Sequence, residues 1–206
     1  MTSAIIKSYA EYIEIPYLIH FTRVTNLESI LTNGLLSINQ AELLEINPAI
    51  NDELRLDGHL DATSVSISFP NSSMFFKYRQ NNPDVGWVVL GIKRSVLWTK
   101  DCAFCKHNAA TAQIAQQDIN HLKTPEAFGG MFDKIGEERD QRLKPYDPTD
   151  VQAEVLVFET IEPELIFGVG FDNHNIKSQY QHLLEGKEVI VCNPGKSFFA
   201  SRSYVR

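Results

Sequence analysis

The sequence predicts a single α+β domain spanning residues 1–206. Strand-like segments outnumber helix-like ones, and they do not alternate in the strand-helix-strand rhythm of a parallel doubly wound sheet. The 206 residues suffice for one domain with a substantial core, and 43% of them are hydrophobic. Glycine and proline are scattered along the chain, and no internal repeat is visible. One folded domain is therefore expected.

Six segments have the composition of strands. Residues 64–69 alternate serine with apolar residues, which is typical of a strand with one buried face, and Pro70 ends the run. Residues 153–158 are apolar apart from Glu154. The predicted strands, in chain order, are residues 17–22, 64–69, 85–92, 153–158, 166–169 and 189–192.

Three segments have helical character. Residues 26–33 carry apolar side chains three to four positions apart, with Thr25 as the predicted N-cap and Gly34 as the stop. Residues 108–122 have apolar side chains at roughly helical intervals, and residues 179–184 predict a shorter helix.

Charge and composition exclude several classes of protein. Lys plus Arg total 19 against 26 Asp plus Glu, and the net charge of −7 argues against a coat that binds nucleic acid through many phosphates. This net charge does not exclude a local basic groove. No apolar stretch approaches the roughly 18 residues of a membrane span, and the N-terminus lacks a signal-like pattern. Three cysteines at spacings that form no disulfide framework suit a reducing compartment. We expect a cytoplasmic protein without a membrane anchor.

The cysteine motif is a candidate metal site. Cys102 and Cys105, with His107 nearby, could begin a zinc site. A structural zinc site normally needs four ligands, and the remaining cysteine, Cys192, lies 87 residues further on. Small buried residues beside an aromatic explain the motif better, and no metal is expected.

Known phosphate-binding and nucleophile motifs are missing from the sequence. Neither G-x-G-x-x-G nor G-x-x-x-x-G-K-[ST] occurs, so no Rossmann or P-loop site is indicated. The G-x-S-x-G elbow is missing too. Ser64, Ser66 and Ser68 are therefore interpreted as the exposed face of a strand rather than as nucleophiles.

Three charged or titratable residues stand in unusual places. His20 lies within an apolar strand, Arg55 lies between two leucines, and Glu154 opens a strand. Taken singly, they could be a hydrogen-bonded core histidine, a loop charge and the solvent side of an edge strand. Their combination can be interpreted only together with the sequence motifs around them.

Those motifs, in order along the chain, resemble the DarT family of NAD-dependent ADP-ribosyltransferases, which modify bases of single-stranded DNA. The matching segments are His20-Phe21-Thr22 with residues 26–37, residues 68–75, residues 95–97, Asn108-Ala109-Ala110 and residues 152–157. Five matches in register cover residues 17 to about 166. The resemblance implies an ADP-ribosyltransferase fold, with a split and bent β-structure, helices packed outside and NAD held in the cleft.

The resemblance also implies site residues. The positions that would bind NAD are His20, Phe21, Thr22, Ser29 and Ser37. Glu154 matches the catalytic glutamate of the family. The family has an arginine between the first helix and the serine-rich strand, and Arg55 is the residue that most naturally corresponds to it here. Arg55 could pair with NAD phosphate or polarise the acceptor base.

A long loop provides the expected nucleic-acid contacts. Residues 129–150 are polar and rich in turn residues, which indicates a long, mobile segment, and such loops are often functional. In this class of enzyme the loop before the glutamate contacts the acceptor. The predicted contacts are Arg139, Arg142, Lys144 and Tyr146. A single-stranded nucleic acid suits the cleft because the target base must be unstacked.

The first hypothesis is thus a toxin enzyme that transfers ADP-ribose from NAD to a base of single-stranded DNA, thymine first and guanine second. The resemblance implies an ADP-ribosyl hydrolase antitoxin as its partner. One alternative is an ADP-ribosyltransferase acting on RNA or protein. Another is a noncatalytic NAD- or nucleic-acid-binding module on the same fold, favoured if Glu154 lies in a salt bridge away from the cleft.

Overall fold

A seven-stranded sheet organises the chain and confirms the α+β class. The computed structural model describes residues 2–50, 57–136, 138–192 and 197–200. The strands are β1 Leu18–Arg23, β2 Thr63–Ile67, β3 Trp87–Ile92, β4 Cys102–Cys105, β5 Glu154–Val157, β6 Ile166–Phe171 and β7 Glu188–Val191. Their order is β4-β5-β2-β1-β3-β6-β7, and all neighbours are antiparallel except β6 and β7. One sheet runs through the described residues, while the single domain over 1–206 stays a prediction.

Helices surround this sheet. Within the described residues the α-helices are α1 Thr2–Tyr12, α2 Leu27–Asn33, α3 Ile38–Leu43, α4 Ser72–Asn81, α5 Val96–Thr99, α6 Ala112–Ala115, α7 Ile119–Leu122, α8 Pro125–Gly130 and α9 His174–Gln179. Short 3₁₀ turns occupy Val24–Asn26, Pro163–Leu165, Gln181–Leu183 and Ser197–Phe199. Among these described segments, no helix has both the length and the apolarity needed to cross a membrane.

Strand β3, which lies between β1 and β6, is buried on both faces, and its side chains alternate between two cores. Val88 and Leu90 point into the main core, which α1, α2, α5 and α8 cover. Trp87 and Val89 point to the opposite face, into an aromatic cluster that includes Phe75 of α4. Burial on both faces explains the continuous apolar run of this strand.

The sheet divides between β1 and β2. Strand β1 pairs with β3 along its whole length, but its pairing with β2 is restricted to Leu18 with Ile67 and Ile19 with Ser66. The remainder of β2, residues 63–65, pairs with β5 instead. The two strands therefore part beyond Ile19 and open a cleft, as the predicted split β-structure requires.

Four local predictions are wrong in detail. The helix predicted over 179–184 is not formed: α9 ends at Gln179, and a 3₁₀ turn follows at Gln181–Leu183. The predicted strand 64–69 ends at Ile67, because Ser68 has a φ of +62° that takes the chain out of the strand. The single helix predicted over 108–122 is two short helices, α6 and α7, and the side chain of Asp118 caps the second. Thr25 does not cap α2: it lies within a 3₁₀ turn, and Asn26 precedes the helix without a side-chain cap.

Several elements were not anticipated, namely the helices α1, α3, α4, α5, α8 and α9 and the strand β4. Strand β4 contains the cysteine motif; it is the last strand at one end of the sheet, pairs with β5, and is buried along its length. Burial raises the pKa of Cys102 and of Cys105 to about 12, so both are neutral thiols at physiological pH. Cys102 donates to the Val96 carbonyl at 3.5 Å. Among the described residues, no group of three or more His, Cys, Asp or Glu side chains could hold a metal ion.

These two thiols are expected to resist alkylation in the folded protein. Because the thiolate is the reactive form, pKa values of about 12 leave almost none of it at pH 8. Iodoacetamide at pH 8, followed by peptide mass spectrometry, should label residues 102 and 105 only after denaturant is added. The unfolded thiols ionise near pH 9 and the folded ones near 12, so the free energy of unfolding should fall as pH rises through that window. Rapid labelling of the native protein would contradict the buried strand.

Gly34 ends α2 in a conformation that other residues rarely adopt. Its φ of +89° and ψ of 174° lie in a region open essentially to glycine, and an added Cβ would lie 2.7 Å from the Ile161 carbonyl oxygen. The next residue, Leu35, exchanges two backbone hydrogen bonds with Ile161, of 2.9 and 3.1 Å. Gly34 therefore lets the chain turn from α2 toward the cleft wall.

Gly34→Ala should lower the free energy of unfolding by about 3 kcal/mol, since it adds a steric clash to backbone strain. Gly58→Ala is the matched control, because Gly58 has a φ of +75° but open space around it. That variant should lose about 1–2 kcal/mol from strain alone. Urea denaturation measures both, and equal losses would contradict the close approach of Ile161.

Candidate active site

The cleft between β1 and β2 brings together six of the predicted site residues. The residues that line it include His20, Phe21, Thr22, Ser29, Ser37 and Glu154. The cleft has a cavity volume of about 210 Å³ and is partly open to solvent. Its walls come from β1, α2, the segment after α2, β2 and the start of α4. These residues are widely separated in sequence, and only the fold makes them neighbours. Their role in binding stays a prediction.

Glu154 is a buried carboxylate held by three donors. It opens β5, which lies between β2 and β4, and it is 9% exposed. Oε1 accepts from Nδ2 of Asn108 at 2.6 Å and from the Ala109 backbone N–H at 3.1 Å. Oε2 accepts from the Ser64 hydroxyl. The donors offset part of the cost of burying the charge and restrict the side chain to one orientation facing the cleft.

The interpretation of Glu154 as the solvent side of an edge strand is therefore wrong. The same holds for the serines of β2 as a purely exposed face. Ser64 supports the carboxylate, Ser66 lines the cleft, and Ser68 is buried. Sequence alternation showed that Ser64 and Ser66 share a face, but not that this face lines a cleft.

His20 bridges the point where the two strands part. Its Nδ1 lies 2.9 Å from the backbone carbonyl oxygen of Ser64. A carbonyl can only accept, so Nδ1 carries the proton in this contact. The bond crosses from β1 to the strand residue whose hydroxyl holds Glu154, and it thereby ties the two walls together.

Phe21 links the cleft to the aromatic cluster behind it. Its ring stacks on Phe75 of α4, with the ring centroids 4.5 Å apart and an interplanar angle of 20°. The ring of His20 lies parallel to it at 6.5 Å. Phe21 is half-buried, so it gives the cleft a rigid apolar wall.

Thr22 is buried, and Asn26 holds it. The Asn26 amide donates to Oγ1 of Thr22 at 2.9 Å and to the Ala49 carbonyl at 3.0 Å, and it accepts from the Ala49 N–H at 2.8 Å. Asn26 thus fastens the 46–50 wall of the cleft to β1. Sequence reasoning missed this role, because it placed Asn26 at the start of the helix predicted over 26–33 and no local pattern indicates its bonds to Ala49.

Ser37 has a structural role that the sequence analysis did not identify. It caps α3 in a capping box: its hydroxyl accepts from the Gln40 N–H at 3.3 Å, and the Gln40 side chain accepts from the Ser37 N–H at 2.9 Å. The spacing Ser-x-x-Gln is the signal that could have revealed it. Ser29 lies on α2, where its hydroxyl oxygen is 3.4 Å from Nδ2 of Asn33.

Two buried polar groups lining the cleft lack partners in the described structure. Nδ2 of Asn71 and Oγ1 of Thr63 belong to side chains that are 3% and 5% exposed. Oδ1 of Asn71 caps α4 by accepting from the Met74 N–H at 3.1 Å. Unsatisfied buried groups are rare because they cost free energy, so a polar ligand in this cleft would find ready partners. Neither residue was predicted.

The predicted nucleic-acid contacts lie elsewhere. None of Arg139, Arg142, Lys144 and Tyr146 lines the cleft, although all four are in the described part of the chain. Arg139 points into its own loop, and Tyr146 packs against the main core. Arg142 binds Asp140 at 2.7 Å, and these hydrogen bonds lower the pKa of Asp140 to about 2. Lys144 is exposed.

The predicted arginine, Arg55, lies outside the described residues. No contact is assigned to it, and its role stays a prediction.

Comparison with solved structures defines the class of fold. DarTG of Thermosipho africanus in complex with ADP-ribose superposes with a TM-score of 0.61 at 16% identity, over 89% of this chain and 50% of that one. DarT of Thermus sp. 2.9 in complex with NAD⁺ gives 0.55 at 15% identity, over 86% of this chain and 96% of that one. The same Thermus protein with ADP-ribosylated single-stranded DNA gives 0.51 at 16% identity, over 87% and 94%. The predicted ADP-ribosyltransferase fold is confirmed.

The family follows from the sequence model. The model described as "ssDNA thymidine ADP-ribosyltransferase, DarT" matches residues 19–199. The chain therefore belongs to the DarT family. No curated protein sequence matches it significantly. The chain spans about half the length of the Thermosipho protein and nearly all of the Thermus protein.

Asn26→Ala should destabilise the protein by about 2–3 kcal/mol, because it removes three buried or part-buried hydrogen bonds and leaves the Ala49 backbone groups without these partners. The control is Asn33→Ala, which removes only exposed contacts to Ser29 and should cost less than about 0.5 kcal/mol. Chemical denaturation compares the two. Similar small losses would show that Asn26 does not fasten the cleft wall.

Proposed function

We propose that this protein transfers ADP-ribose from NAD to a base of single-stranded DNA and releases nicotinamide. The observation that carries the proposal is Glu154, a carboxylate fixed by three donors and facing a cleft in a DarT-family fold. Thymine is the first candidate base, as the family description supports, and guanine is the second.

The chemistry requires stabilisation of positive charge. The bond between C1′ of the ribose and the nicotinamide nitrogen breaks, and its electron pair leaves with nicotinamide. Positive charge develops on the ribose, as in glycoside cleavage. The acceptor nitrogen supplies an electron pair to C1′ and releases its proton to solvent. Glu154 stabilises the charged ribose more strongly in the transition state than in the ground state, and its fixed orientation avoids reorganisation.

The cleft residues suit NAD as the co-substrate. NAD offers carboxamide, hydroxyl and phosphate groups, and the unpartnered Nδ2 of Asn71 and Oγ1 of Thr63 supply a donor and a hydroxyl. His20, Phe21 and Thr22 form the β1 wall, while Ser29 and Ser37 come from the opposite side. The Thermus relative binds NAD⁺ according to its structure. No metal is required by this scheme.

The acceptor is proposed to reach the cleft as an unstacked base. A base within a duplex would not expose the reacting nitrogen, so a single strand is favoured. The loop before β5 supplies Arg142, Lys144 and Tyr146 as candidate contacts, and Arg55 remains a candidate catalytic residue. A Thermus structure contains ADP-ribosylated single-stranded DNA, which supports this acceptor.

The noncatalytic alternative would be favoured by a glutamate removed from the cleft. Glu154 instead lines the cleft, beside the other predicted site residues of β1 and α2. RNA and protein remain the competing acceptors, and the acceptor assay below distinguishes them.

The proposed biological role is that of a toxin acting in the cytoplasm. Covalent modification of DNA bases must be removed for replication to continue, so an ADP-ribosyl hydrolase antitoxin is the proposed partner. The Thermosipho relative is described as DarTG in complex with ADP-ribose, which is consistent with this pairing.

Glu154→Gln tests the catalytic assignment. With isotope-labelled NAD and single-stranded DNA, label transfer should fall by about 10²- to 10³-fold, because the charge that stabilises the transition state is gone. The affinity for NAD, measured by calorimetry, should stay within about tenfold. Glu164→Gln, a change of the same chemistry at an exposed position, should label normally.

The same assay with single-stranded DNA, RNA and protein identifies the acceptor. Transfer to DNA alone is the expected outcome. Normal labelling by the Glu154 variant would overturn its catalytic role. A parent protein that neither transfers label nor binds NAD would overturn the enzyme proposal.

A further inference from the structure

The acceptor loop, defined as residues 138–150, is tied to the scaffold through its acidic residues. It leads directly into β5 and Glu154. Its charged side chains were expected to face nucleic acid, but several of them bond within the protein. The contacts of Asp147, Arg139 and Asp150 show which residues fix the conformation of the loop and which side chains remain exposed to a ligand.

Asp147 joins the loop to the end of β2. Its side chain is buried, at 3% exposure, and Oδ1 accepts from the Ser68 hydroxyl at 2.6 Å. Ser68 is 4% exposed and adopts the left-handed φ of +62° immediately after the strand. Oδ2 of Asp147 accepts from the Lys144 backbone N–H at 3.0 Å. A buried carboxylate without such donors would be costly, so this contact restrains both segments.

Arg139 braces the loop from within. Its guanidinium donates to the carbonyl oxygens of Lys144 at 2.8 Å and of Asp147, and its Nε donates to Oγ1 of Thr149 at 3.2 Å. The planar fork of arginine suits several acceptors at once. The backbone N–H and C=O of Lys144 are thus both bonded, while its side chain is exposed.

The end of the loop is tied to the turn that supports the catalytic carboxylate. Nδ1 of His107 lies 2.6 Å from Oδ2 of Asp150. The next residue, Asn108, donates to Glu154 at 2.6 Å. The position of the loop is therefore linked by hydrogen bonds to both β2 and the Asn108 turn, the two segments that hold Glu154.

We propose that Asp147 is a positioning residue for the acceptor strand. With Ser68 it locks the acceptor loop to the end of β2, and with Arg139 it presents the exposed Lys144 to the DNA in one arrangement. Arg139 then acts as an internal brace and not as a phosphate contact. This inference rests on the proposed function, because it assigns the loop to the DNA acceptor of the same reaction.

The test measures binding of a fluorescent single-stranded DNA 20-mer by anisotropy, binding of NAD by calorimetry, and amide hydrogen exchange of residues 139–150. Ser68→Ala and Asp147→Asn should each weaken DNA binding about tenfold, raise the KM for DNA more than they lower kcat, and leave NAD affinity within about twofold. Exchange should accelerate at the N–H groups of Lys144 and Asp147, which are hydrogen-bonded in the parent. Ser178→Ala, at an exposed helical position, is the control and should change none of these.

Arg139→Lys separates a brace from a phosphate contact. Lysine keeps the charge but loses the fork, so a brace predicts weaker DNA binding and faster loop exchange, as for Ser68→Ala. Retained DNA affinity with unchanged exchange would show that Arg139 contacts phosphate and would overturn its assignment. Thermal unfolding of each variant verifies folding, and Ser68→Ala, the mildest change, keeps the test valid if Asp147→Asn unfolds.

Two further outcomes separate this inference from the proposed function. If the parent labels DNA but Ser68→Ala and Asp147→Asn bind it as tightly as the parent, the positioning role is overturned and the proposed function stands. If the parent neither binds nor labels single-stranded DNA, the proposed function fails, and the positioning role fails with it.

Discussion

A buried carboxylate must be met by hydrogen-bond donors, and this requirement organises the centre of the molecule around Glu154. The donors come from two segments far apart in sequence, Ser64 on β2 and the turn of Asn108 and Ala109 after β4. Both segments must lie beside β5, and β5 indeed pairs with β2 on one side and β4 on the other. The strand order thus supplies the donors that allow a charge to remain buried beside the cleft.

The parting of β1 and β2 creates the space that this charge faces. Strand β2 pairs with β1 at only two positions and elsewhere pairs with β5. The sheet therefore opens at His20, the first residue of β1 beyond these two pairs. The contact from Nδ1 of His20 to the Ser64 carbonyl limits how far the walls separate. Ser64 therefore serves two functions through different atoms, since its carbonyl holds the histidine and its hydroxyl holds the carboxylate. Ser64 thus links the β1 wall of the cleft to the carboxylate of Glu154.

Much of this architecture could be predicted from local patterns and family motifs. Strand periodicity located β1, β3, β5 and β6 to within a few residues, and the glycine stop after α2 is where expected. The family motifs identified six residues that the fold brings to one cleft. Predictions failed for side chains that could bond either to a ligand or to another part of the protein. Asn26 and Ser37 bond to the cleft wall and a capping box, and Arg139 bonds to its own loop rather than remaining available outside.

The sequence by itself determined the α+β class, the family and six of the residues that meet in the cleft, because apolar periodicity and short motifs are properties of neighbouring residues. The tertiary structure alone decided which atoms those residues contact. The partners of Glu154 lie 45 to 90 positions away, and Ser68 meets Asp147 across 79 positions. Hydrogen bonds over such separations depend on strand order and on where the sheet divides, and neither is encoded in any local pattern.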